Sequence, residues 1–452
     1  MSADPSLWWC EHAWLGGDRV AEGVLLTVVD GVIEEVEPNS PPAHGRRLTG
    51  LVLPGLANAH SHAFHRVLRS HTQRDRGSFW TWRRLMYQAA GRLTPDLYRD
   101  LARAVYAEMA LAGITAVGEF HYLHHDPGGT PYADPNEMGH ALIAGAADAG
   151  IRITLLDTCY LSSNVDGSPL ADRPQQRFGD GDGSRWAQRV EQLRSGTSKD
   201  DHVLVGAAIH SVRAVPVDDM SQVVAWAAAA AAPLHVHSSE QTAEVEQCLA
   251  VHGCTPTALM RDHGVLGDRT TAVHATHLTA TDIADLRDTG TGVCFCPTTE
   301  RDLGDGVGPA PELIAGPGPF SLGSDSHAVI DLFEEARAVE LDERLIRRER
   351  GVMPASRLLE AATRDGHSAL GWARAGELCV GARADLVAVD LSSVRTAGGG
   401  PTVENAVFAA TAADVTDVVV DGRVVVSERR HHLVADAGRQ LAKSISAVLG
   451  TP

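Results

Sequence analysis

Apolar β-type runs alternate with helical stretches through the middle of the chain, and the pattern changes at both ends. VLLTVVDGVIEEV (24–36) sets two β-type runs around an Asp-Gly pair, a tight-hairpin signature. ADLVAV (384–389) and VVVDGRVVV (418–426), the latter split by a second Asp-Gly, repeat it near the C-terminus. One small β-sandwich domain built from 1–50 and 376–452 is expected. Between them, eight apolar runs end at His62, Tyr122, Tyr160, Val212, Glu240, Leu278, Glu300 and His327. Helices fill the intervals, among them Pro95–Leu111 and an Ala-rich stretch at 220–232, while 180–196 begins in a loop.

Repeated βα units predict a parallel sheet. Eight runs in 51–375 predict an α/β fold of the TIM-like (β/α)8 type, in which the C-terminal strand ends form the reactive face. A doubly wound sheet would also gather ligands at strand ends, but the count and the length favour the barrel. The polar endings of these runs therefore mark the candidate site.

Composition narrows the ligand class. The formal net charge is −19, and the lysines are Lys199 and Lys443 alone. Nucleic acid is excluded as a partner, because phosphate binding needs a clustered positive surface. An acidic ligand would have to be captured by locally placed arginines. No uninterrupted apolar stretch is long enough for a membrane span, and Asp4, Glu11 and His12 interrupt any leader core, so a cytoplasmic protein is expected. Seven cysteines, an odd number, are scattered, with Cys294 and Cys296 in an apparent strand. Reduced packing residues are expected in place of disulfides.

The chemistry starts at His60 and His62, two apart and so on one face of a strand. Such a pair alone is weak. Support comes from His237 at the end of the fifth run, followed by Glu240, and from Asp325 at the end of the eighth; His60, His62, His237 and Asp325 make a set of the size that a catalytic zinc requires. His235 lies deeper on the same strand face and reads as structural.

The motifs PGLANAHSHAFHR, HVHSSEQ, VHATHL and GSDSH resemble those of the amidohydrolase superfamily, and GELCVGARADLVAVD resembles its terminal β domain. The resemblance implies metal ligation by His60, His62, His237 and Asp325. No lysine is available at a strand end to bridge two ions, so one divalent ion, zinc, is expected. It further implies Glu240 as proton shuttle, Asp325 as the group taking the water proton, and His274, in preference to His277, as the sixth-strand catalytic histidine.

FWTWRRLMY, VGEFHYLHH, AAIHSVRAV and CPTTERDLGDGVGPA resemble the formimidoylglutamate deiminase family of that superfamily. This implies a small dicarboxylate substrate in histidine degradation, a homodimer, and substrate contacts from Arg83, Tyr122, His210 and Arg213. Where that family commonly has glutamine, this chain has His65, a further substrate contact whose ring can change charge near neutrality.

Plainer readings stand beside these. Trp80 and Trp82 read as packing residues, Arg83 as a solvated surface residue, Arg213 as a partner of Asp218 or Asp219, and Tyr122 as a strand cap. His121, His124 and His125 read as loop histidines. Two rival functions are a mononuclear deaminase or chlorohydrolase of heterocyclic bases, which needs an aromatic slot in place of two arginines, and a metal-free scaffold relative, which would be expected to lack a ligand.

Overall fold

The computed structural model describes residues 5–42, 45–73 and 79–450. Eight parallel strands follow one another in chain order: β1 (Leu56–Ser61), β2 (Ile114–His121), β3 (Arg152–Cys159), β4 (Val203–Ile209), β5 (Leu234–Ser238), β6 (Thr270–His274), β7 (Gly292–Phe295) and β8 (Phe320–Leu322). The amide of His62 donates to the Asp325 carbonyl, and the amides of Ser324 and Asp325 donate to the His60 carbonyl, joining the end of β8 back to β1. The ring is thereby closed into the expected barrel. Helices cover its outside, so the strands are buried on both faces and read as continuous apolar runs.

The helix Pro95–Leu111 has the predicted bounds, set by Thr94, whose side chain caps Leu97 N–H, and by Pro95 in the first turn. The Ala-rich helix spans Val217–Ala230, and 180–196 does open in a loop before the helix Gly183–Thr197.

The first apolar run is divided. Arg46–Pro54 pairs with Ser6–Trp14 and with Leu386–Val389, whereas β1 starts at Leu56. Gly55 is the break, since a Cβ there would collide with Thr115 and Asp385. The seventh run is also shorter than its apolar pattern: β7 stops at Phe295, and Pro297 opens the helix Pro297–Leu303, which carries Glu300.

The two chain ends build a second eight-stranded ladder, antiparallel except where Ser6–Trp14 runs beside Arg46–Pro54. Both Asp-Gly pairs form the hairpin turns the pattern predicts, with φ of 49° and 79° at Asp30-Gly31 and 48° and 73° at Asp421-Gly422. These turns meet at Ala384, which donates to the Gly31 carbonyl and accepts from the Gly422 amide. The sheet so curls around a core of its own, including Trp8, Leu26, Ile33, Leu386 and Val419. Residues 376–452 also supply the helix Ala437–Leu449, which returns to pack on Pro95–Leu111.

Arg152, fully buried at the start of β3, ties the two parts together. Its guanidinium pairs with Asp385 and reaches Asp421 at 2.9 Å, while lying 5.2 Å over the Trp372 ring. All seven cysteines are free.

Candidate active site

At the C-terminal mouth of the barrel four side chains converge. Period-two alternation along β1 sends His60 and His62 to one face, β5 brings His237, and Asp325 follows β8. One ligand atom from each lies within 4.8 Å of all the others. Asp325 Oδ1 is 3.4 Å from His60 Nε2 and 3.3 Å from His62 Nε2, and the Nε2 atoms of His60 and His237 are 3.1 Å apart.

The tautomers follow from the partners. His62 Nδ1 lies 2.9 Å from the Phe120 carbonyl and His237 Nδ1 2.8 Å from the His210 carbonyl. A carbonyl only accepts, so each Nδ1 carries the proton and each Nε2 presents a bare lone pair to the cluster. Burial holds these imidazoles neutral, taking His60 down to about 3. The Asp325 carboxylate is ionised well below the usual range, because its bond to His60 and the surrounding imidazoles outweigh the opposing effect of burial.

A second group stands beside the first. His274, at the end of β6, lies 4.0 Å through Nε2 from both Glu240 Oε1 and Asp325 Oδ2, and its Nδ1 is 3.2 Å from Glu300 Oε1. Burial alone would make this ring neutral; Glu240, Glu300 and Asp325 reverse that and hold it protonated. Burial is also the main cause that raises the Glu240 carboxyl. The backbone is strained here: Ser239, His274 and Asp325 sit at φ of 50°, 69° and 38°. Non-glycine residues adopt this region at a cost, and their coincidence at three strand ends shows side-chain aim overriding backbone preference.

A cavity of about 500 Å³ opens from this centre. His62, His237, Glu240, His274 and Asp325 line it together with His65, Arg83, Tyr122, His210 and Arg213. All the sequence-nominated residues except His60, which is fully buried in the ligand cluster, thus share one cavity. His65 Nε2 is 2.9 Å from the Tyr122 hydroxyl, and Tyr160 packs edge-on to His210 with ring centroids 4.4 Å apart. Arg83, on the helix Phe79–Ala90, donates through Nε to the Tyr87 hydroxyl at 2.8 Å. Arg213 has no ion pair among the described residues, and Asp219 instead accepts from the Gly183 amide.

The remaining polar residues separate clearly. His235 bonds to the Ala369 carbonyl below the centre, as its depth in β5 implied. His277 bonds to the Asp305 carbonyl, whereas His274 faces the cluster. His121, His124 and Asp157 also come together, but Asp157 is taken by Arg189 and Trp186, and His124 by the Thr158 carbonyl. His125 bonds to the Gly179 carbonyl. Trp82 packs edge-on against His65, while the side chain of Trp80 lies outside the described residues. Lys199 lies in the turn before β4 and Lys443 in the C-terminal helix, so neither stands at a strand end.

Sequence reading assigned no role to Glu300, Glu244 or Asp305. Glu300 ends the seventh apolar run and lies in the quoted CPTTERDLGDGVGPA motif, and that position was its available signal. Glu244, one turn after Glu240, lines the cavity, and burial pushes it up to about 7. Burial, then Glu240, pushes Asp305 up to about 8; its Oδ1 accepts from Gln241, and it lies in the same quoted motif as Glu300.

Fold and site together describe a barrel hydrolase that acts on C–N bonds, and comparison with known proteins agrees. The amidohydrolase family profile matches residues 51–425, and the chain belongs to that family. It is 37% identical over 414 residues to a formimidoylglutamate deiminase of Pseudomonas aeruginosa, covering 89% of this chain and 90% of that protein. A solved amidohydrolase from Brucella melitensis superposes with a TM-score of 0.91 at 35% identity, covering 98% and 100% of the two chains. An adenosine deaminase from Xanthomonas campestris, solved with bound zinc, gives 0.85 at 25%, covering 98% and 97%.

Proposed function

We propose that this enzyme hydrolyses N-formimidoyl-L-glutamate to N-formyl-L-glutamate and ammonia, with one zinc ion held by His60, His62, His237 and Asp325. The observation that carries the substrate assignment is Arg213, a guanidinium without an ion-pair partner among the described residues, in the cavity that holds Glu240 and His274. In a chain of net charge −19, such a cation is suited to gripping a carboxylate through two parallel hydrogen bonds. The 37% identity to a formimidoylglutamate deiminase supports the same substrate.

The donor set fits a metal. His62 and His237 present bare Nε2 atoms beside His60 Nε2 and the Asp325 carboxylate, and three imidazoles with one carboxylate suit zinc. When bound, zinc supplies Lewis acidity and makes hydroxide available near neutral pH. Asp325 takes the proton of the attacking water on its Oδ2 side, where His274 faces it. His274, braced by Glu300, holds the water and the amidine in line. Glu240 delivers a proton to the departing nitrogen as the C–N bond breaks, and the carbon keeps the oxygen as a formyl group. Arg83 and Arg213 engage the two carboxylates, and His65, Tyr122 and His210 add hydrogen bonds. A cytoplasmic homodimer acting in histidine degradation belongs to this proposal and rests on the resemblance to the deiminase family.

A second reading has its own observation: Trp82, Tyr122 and Tyr160 line the cavity and would suit a planar base. Ammonia release from a panel of N-formimidoyl amino acids, adenine and guanine separates the two. The proposal requires turnover of the glutamate compound, and activity confined to the bases would refute it.

A further inference from the structure

Behind the ligand-bearing strand ends runs a buried chain of hydrogen bonds that the reaction does not use. Asn58 Nδ2 donates to Ser324 Oγ at 2.7 Å, and the Ser324 amide returns a bond to Asn58 Oδ1 at 2.9 Å. Ser324 Oγ is 2.9 Å from His327 Nδ1, and His327 Nε2 is 3.2 Å from Ser61 Oγ. Ser61 Oγ is 2.7 Å from Glu119 Oε2, while Glu119 Oε1 accepts the Ala63 amide at 2.6 Å. All five side chains are fully buried.

The placement matters. Ser61 sits between His60 and His62, Ser324 precedes Asp325, and His327 follows it by two. Ala63 opens the short helix Ala63–Leu68 that carries His65. The chain therefore spans β2, β1 and the end of β8, the seam where the barrel closes, and it holds both sources of ligands from behind.

We infer that Glu119 is a positioning residue: its carboxyl anchors the Ser61–His327–Ser324–Asn58 chain that fixes His60, His62 and Asp325 in their convergent geometry. The hydroxyls and the imidazole can each pass a proton in either direction, so the links survive whether the carboxyl accepts from Ser61 or donates to it. At the other oxygen only an acceptor serves, because Ala63 N–H is a fixed donor. A glutamine satisfies both ends, its oxygen facing Ala63 and its amide N–H facing Ser61. A leucine satisfies neither, and leaves a buried hydroxyl and a buried amide unpaired. Groups that orient metal ligands from outside typically govern affinity by about 10- to 100-fold.

This inference rests on the proposed metal centre, and its test separates the two. Zinc affinity is measured by competition with a chromophoric chelator for the parent, Glu119→Leu, Glu119→Gln and Ser61→Ala, with thermal melting recorded for each. Glu119→Leu and Ser61→Ala should bind zinc about 10- to 100-fold more weakly, and Glu119→Gln within about threefold of the parent. Ser61→Ala removes a single oxygen and keeps the test decisive if the leucine variant fails to fold. Ser61→Ala and Glu119→Leu should also be non-additive when combined, since both cut one chain. A parent that binds zinc, with variants that melt lower yet bind it equally well, would overturn the positioning role alone. A parent that binds no zinc would overturn the metal centre itself.

Discussion

The Nε2 atoms of His60 and His237 face each other at 3.1 Å across the barrel mouth, although His237 already gives its one ring proton to the His210 carbonyl. Two neutral rings aimed at one point, with the Asp325 carboxylate beside them, supply the donors of the proposed cation site. The tautomers of His62 and His237 are set by the Phe120 and His210 carbonyls, so the site depends on the registers of β2 and β4 as much as on its own histidines.

Removing one ligand should empty this centre. Metal analysis of the purified parent should give close to one zinc, or a substitute ion, per chain. His237→Ala should lose most of it along with activity, while circular dichroism is unchanged. Two stoichiometric ions in the active parent would contradict a single centre.

Chemistry should separate from metal binding at Glu240. Glu240→Gln keeps the shape of the side chain but cannot carry the proton to the leaving nitrogen. Turnover should fall about 100- to 10,000-fold with zinc content retained. A glutamine variant with near-parental kcat would remove Glu240 from the proton path.

Much of this site could be read from the chain because its residues sit at strand ends in short local patterns. His60 and His62 share a face by period two, His237 and Glu240 lie within four residues, and Asp325 follows a run with a turn after it. Gly55 was harder to place. The apolar pattern runs through it unbroken, and only the tertiary collision with Thr115 and Asp385 shows that one run serves two sheets. Glu300 was obscured because Pro297 converts the end of an apparent strand into a helix. Glu119 lies inside a quoted motif, yet its partners Ser61 and Ala63 are 58 and 56 residues away and the chain they lead to ends at His327 and Ser324, beyond the reach of any local pattern. The plainer reading of Arg213 fails for the same reason: proximity in sequence to Asp219 is not proximity in space.

Burial places the Glu119 carboxyl at about 8, against an ordinary carboxyl value of 4.5 in the unfolded chain. A raised folded value means that the native state binds the proton more tightly. This contribution to stability is complete below about pH 4.5 and lost as pH rises through about 8. Relative to Glu119→Gln, whose side chain does not titrate, the metal-free parent should therefore lose stability over that window in urea unfolding, a comparison that cancels the opposite contribution of the buried neutral histidines common to both proteins. Equal slopes for the two proteins would show that Glu119 does not titrate in this range.

The union of barrel and terminal β domain should depend on Arg152. Arg152→Met keeps the length of the side chain but leaves Asp385 buried without its cation. Breaking a buried pair from one side typically costs about 3–5 kcal/mol, and urea unfolding should register a loss of that order. A change below about 1 kcal/mol would mean that the pair contributes nothing net.

The central claim is that the enzyme takes a dicarboxylate through Arg213 and hydrolyses its C–N bond, and the most direct test is kcat/KM for ammonia release from N-formimidoyl-L-glutamate by the zinc-loaded parent and by Arg213→Met. The account predicts turnover by the parent and a loss of about 10- to 100-fold or more in the variant at unchanged zinc content, the size expected for losing hydrogen bonds to a charged partner. Equal kcat/KM in the two proteins, or a parent inert on this compound that releases ammonia from a heterocyclic base, would contradict it.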